Sequence, residues 1–159
     1  GVFVALQGRS WAGPIAQRHA ETALRSVLEQ AVAVEEYPDS ELFVRVVVLE
    51  AAGDVLPTAL NAALLAVAAA GLRLRSTFFC FSFRFGAEGA ALVGQPGQPG
   101  AALVVDLFAD RVLWAEGRDC PAEVLLGLAE ESLALRPCAA ELLRSFFAEC
   151  AAARLDAAP

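Results

Sequence analysis

Four cysteines, at positions 80, 120, 138 and 150, and a single histidine, His19, are the residues best suited to ligate a metal or attack a substrate. No two cysteines form a Cys-X-X-Cys pair, and His19 is far from all four, so the spacing argues against a tetrahedral zinc site. Cys80 falls in an aromatic run, and Cys138 and Cys150 fall in an apolar helical segment, so buried free thiols are expected. No serine or cysteine sits in a recognisable nucleophile motif, which argues against Ser-His-Asp or Cys-His chemistry. Asp54 directly precedes an apolar helical stretch, where capping is its simplest role. All 12 basic side chains are arginines. Arg18 and Arg25, seven residues apart, share a helix face, and Arg73, Arg75 and Arg84 are expected to form a small patch beside Gly71. Arg18, Arg25, Arg73 and Arg75 are the candidate contact residues, with solvation or salt bridging as the plainer role. His19 reads as a helix-surface residue.

The elements that must position these groups belong to one domain, which is what 159 residues suit. Hydrophobic residues make up 57% and charged residues 19%, against about 45–50% and about 25% in ordinary globular domains. Such a chain is no disordered tail, and its apolar excess points to surface that faces a partner. The net charge of −7 argues against this chain alone holding nucleic acid by counterion release. No secretory signal is visible, and nothing requires an oxidising compartment. The sequence begins at Gly1 and contains no methionine, so an amino-terminal portion is expected to be missing from it.

Residues 2–7 (VFVALQ) form a strand candidate, and residues 15–34 carry apolar positions every three or four residues behind Pro14, the pattern of an amphipathic helix. Tyr37-Pro38-Asp39-Ser40 is a turn, and the β-branched run at 41–51 is a strand. A helix over 55–70 is apolar almost all round and ends at Gly71. Pro57, Thr58, Asn61 and many alanines make it a core helix and not a membrane span. Phe79, Phe81, Phe83 and Phe85 alternate onto one face of a strand at 76–85, which pairs with 89–93. The loop 94–100 is rich in glycine and proline. Strands at 102–110 and 111–117 form a hairpin with a tight Asp110-Arg111 turn. A long helix follows Pro121 to about Arg154, kinked or broken at Arg136-Pro137. The order βαβαββββα describes a layered α+β domain and not an alternating dinucleotide-binding fold.

Two stretches, LEQAVAVEEYPDSELFVRVVVLEAAG (28–53) and TALNAALLAVAAAGL (58–72), together with the element order, resemble the RNase PH family over about residues 14–150. That family comprises phosphorolytic exoribonucleases and the six subunits of the RNA exosome ring. The likeness is strongest to the non-catalytic ring subunits. It implies the RNase PH-like (ribosomal protein S5 domain 2-like) fold: a βαβα layer, antiparallel strands and a carboxy-terminal helix. The family's first β-meander of about seventy residues is absent here, so residues 1–159 are expected to be a single, amino-terminally incomplete domain. The resemblance implies partners of the same fold in a hetero-hexameric ring, RNA-binding cap subunits, RNA reached through the assembled complex, no membrane and no cofactor. It also implies rRNA and other RNA processing in the nucleus, including the nucleolus, and the cytoplasm. Arg18, Arg25, Arg73 and Arg75 are then candidates for contact with RNA or a neighbouring subunit.

Active members of the family place a phosphate-binding hydroxyl after a Gly-Gly pair, where a helix amino terminus favours an anion. Here that stretch reads Glu50-Ala51-Ala52-Gly53-Asp54: one glycine is replaced, and the hydroxyl position falls on Asp54. The metal-binding aspartates expected after the aromatic strand are replaced by Val93, Gly94, Gln95, Pro96 and Pro99, none of which can hold a cation. The phosphate-clamping arginine aligns near Ala12, with Arg9 the nearest basic residue. These losses imply an inactive subunit with no catalytic residues. The alternatives are an active phosphorolytic exoribonuclease of the same family and an unrelated α+β domain.

Overall fold

A computed structural model describes residues 1–8, 13–51, 54–86, 89–91 and 100–156. Strand β1 (Val2–Gly8) lies parallel to β2 (Leu42–Val48), in register from Val2 opposite Leu42 to Gly8 opposite Val48. Helix α1 (Pro14–Ala31) crosses between them. It buries Ala20, Ala23, Leu24, Val27, Leu28 and Ala31, the spacing that one helical face demands. Pro14 starts it, where a missing N–H costs nothing. The chain leaves the helix three residues earlier than the sequence pattern suggested. Val32 is extended and donates its N–H to Leu28 O at 2.9 Å, and a 3₁₀ turn takes up Val34–Glu36.

Helix α2 (Val55–Ala69) follows and stops at Gly71, whose φ of +75° suits glycine. Strands β3 (Phe78–Gly86), β4 (Gly89–Ala91), β5 (Gly100–Asp106) and β6 (Val112–Arg118) then form an antiparallel sheet in the order β4-β3-β5-β6. All seven residues of β5 are buried, the fate of an apolar run covered on both faces. Helices α1 and α2 contact β6 and β3, while α3 (Ala122–Ala134) packs on β5 and β6. Helix α4 (Arg136–Asp156) adds Ala139, Ala140 and Leu143 to the core. The break between α3 and α4 falls at Leu135, ahead of Arg136-Pro137, because a proline ring cannot continue the preceding helix.

Several expectations need correcting. The β5–β6 connection is not a tight two-residue turn, since the strands end at Asp106 and resume at Val112. The Asp106 carboxylate organises that wider loop by accepting hydrogen bonds from the Phe108 and Ala109 N–H groups. Cys80 alone of the four thiols is buried; Cys138 is exposed, and Cys120 and Cys150 are half-buried. Cys138 directly precedes the buried pair Ala139 and Ala140, and its own position on α4 faces water. The phenylalanine face of β3 is not its only covered face, because Phe78 and Cys80 are buried on the other. Among the described residues no helix is long and apolar enough to cross a membrane.

Candidate functional site

A cleft of about 560 Å³ opens where the amino-terminal ends of α1 and α2 meet one end of the four-stranded sheet. Gly13, Ile15, Ala16, His19 and Ala20 line it from α1, and Asp54 to Pro57 from α2. Arg84 of β3, Gly100 to Ala102 of β5, and Glu116 and Arg118 of β6 complete it. Two helix amino termini aimed at one space would favour an anion. The side chains oppose that preference.

Asp54 occupies the capping position of α2 but makes no capping hydrogen bond. Its carboxylate forms an ion pair with Arg84 Nη2 instead. The Arg84 side chain is only 10% exposed, so most of its charge is met inside the protein, while Asp54 is 41% exposed at the cleft surface. Gly100 makes room for this arrangement. A β-carbon there would lie 2.5 Å from Phe83 O and 2.9 Å from Arg84 Nη1, closer than atoms can pack. On the opposite wall His19 Nε2 meets Glu116 Oε2 at 2.8 Å, and the His19 ring lies 6.5 Å from that of Trp114. The described lining residues bring two guanidinium groups, of Arg84 and Arg118, and two carboxylates, of Asp54 and Glu116. Among the described residues, no hydroxyl or thiol side chain lines it.

Behind the cleft, burial pushes the Cys80 thiol up to about 12, and the negative charge of Asp54 adds to the effect. A thiol so held stays protonated and is no nucleophile. Asn61 of α2 grips the same residue: its amide accepts from Cys80 N–H at 2.8 Å and donates to Cys80 O at 3.1 Å. Among the described residues, no three His, Cys, Asp or Glu side chains gather as a metal ion would need.

None of the four arginines singled out from the sequence lines this cleft. Arg18 is exposed on α1, and Arg25 pairs with Glu29 one turn along the same helix at 2.9 Å. Arg73 pairs with Glu36 at 2.9 Å, and Arg75 with Glu35, both acids being on the 3₁₀ turn. These pairs sit beyond the far end of α2, about 22 Å from Asp54 for 15 helical residues. The expected patch of Arg73, Arg75 and Arg84 does not form. Nine residues of extended chain separate Arg75 from Arg84 by about 30 Å, and Arg84 turns to Asp54. Sequence reading missed Glu116 and Arg118, and it missed the pairing of His19, because nothing local links positions 97 residues apart. The replaced residues Val93, Gly94, Gln95, Pro96 and Pro99, with Arg9, Ala12, Ala52 and Gly53, lie outside the described residues.

Residues 9–73 match the model of the 3′ exoribonuclease family, domain 1, of the RNase PH type. The crystal structure of rice (Oryza sativa) Rrp46 superposes with a TM-score of 0.81 at 18% identity, covering 91% of this chain and 72% of that one. The fold is therefore RNase PH-like. A chain of the Archaeoglobus fulgidus exosome, solved with RNA bound to the active site, gives a TM-score of 0.66 at 14% identity, covering 91% and 70%. No curated protein sequence matches the chain. The fold expected from the sequence, an RNase PH-like α+β layer with antiparallel strands and a carboxy-terminal helix, is the fold observed, with β1 and β2 parallel and the terminal helix divided into α3 and α4.

Proposed function

We propose that this chain is a catalytically silent, RNase PH-like subunit of an exosome-like ring, holding its place while other subunits degrade RNA from the 3′ end. The observation that carries the proposal is the ion pair between Asp54 and Arg84 at the start of α2. Phosphorolysis needs an inorganic phosphate held beside the RNA end, and a helix amino terminus with an arginine nearby is a suitable cradle. Asp54 fills that cradle with the protein's own carboxylate. A phosphate entering beside it meets repulsion of about 1 kcal/mol or more in a partly screened site. It also loses the attraction of an arginine that is already engaged. Among the described residues no hydroxyl or thiol lines the cleft, which agrees with this reading.

Ring membership is supported by the likeness to a chain of the archaeal exosome and by exposed apolar side chains such as Phe43 and Leu49. A stable place in a ring requires about 800 Å² of contact on each side. The expected partners are other RNase PH-like subunits in a hetero-hexamer and RNA-binding caps, with RNA met through the assembly, in nucleus and cytoplasm. The direct test incubates the purified chain with single-stranded RNA and phosphate and follows release of nucleoside diphosphates. None is expected. Release that disappears in Asp54→Ala would establish the active phosphorolytic alternative and overturn the proposal.

A further inference from the structure

We draw no further inference here: the strongest candidate, the exposed Phe108 on the β5–β6 loop that the Asp106 carboxylate and the Arg136 guanidinium hold in place, is an unpartnered apolar knob, and nothing in the structure shows what covers it.

Discussion

The two sheets of this chain are rich in the same kinds of residue and bury them very differently. In the four-stranded sheet, β5 is covered on both faces, and Phe78, Phe83, Leu103 and Val104 are almost wholly enclosed. In the two-stranded sheet only one face meets α1 and α2. On the other, Phe3 and Phe43 stack at 5.1 Å with Phe43 still 70% exposed, and Val47 lies in the open beside them. The first sheet is a core that satisfies itself. The second leaves an apolar face exposed.

Substitutions should separate the two sheets sharply. Phe83→Ala removes a ring enclosed between strands and helices, and a loss of about 3–5 kcal/mol is expected in chemical denaturation. A loss below about 1 kcal/mol would mean that the four-stranded sheet is not the principal core. The buried network at the far end of β5 gives an intermediate effect. Burial pushes the Asp106 carboxyl up, but hydrogen bonds from Ser76, the Phe108 N–H, Arg111 and the Ala109 N–H outweigh it and hold it below its ordinary 3.8. A carboxyl with a depressed folded value stabilises fully above the unfolded value, and that contribution is lost as pH falls through the folded one. Asp106→Asn should therefore cost about 1–3 kcal/mol at neutral pH. The gap between variant and parent should narrow as pH falls below 3.8. A gap independent of pH would remove the charge from the explanation. Phe43→Ser, at the other extreme, should change stability by less than about 0.5 kcal/mol in the same denaturation experiment. A large destabilisation would show that the outer face of β2 is part of the core.

The difference between the sheets also explains what could be read in advance. Element order was legible throughout, because apolar spacing marks helices such as α1 and because Gly71 and Pro137 punctuate the chain. The break at Leu135 followed from the proline alone. Tertiary pairing was not legible in the same way. Asp54 looks like a helix cap from its neighbours, and only the return of β3 brings Arg84 to it, 30 residues later. Arg73, Arg75 and Arg84 look like a cluster in sequence, yet the length of β3 carries the last to the opposite end. Cys138 and Cys150 sit in an apolar stretch, but α4 turns Ala139, Ala140 and Leu143 inward and leaves Cys138 outside. The cleft itself, assembled from both helix starts and three strand ends, left no local signature beyond the substitution at Asp54.

The measurement that bears most directly on the silent cleft is calorimetric titration of inorganic phosphate into the parent chain and into Asp54→Asn, which keeps the shape and removes the charge. The account predicts no saturable binding to the parent at millimolar phosphate, and weak saturable binding to the variant that Arg84→Gln abolishes. Saturable phosphate binding by the parent, equal to or tighter than that of Asp54→Asn, would contradict it.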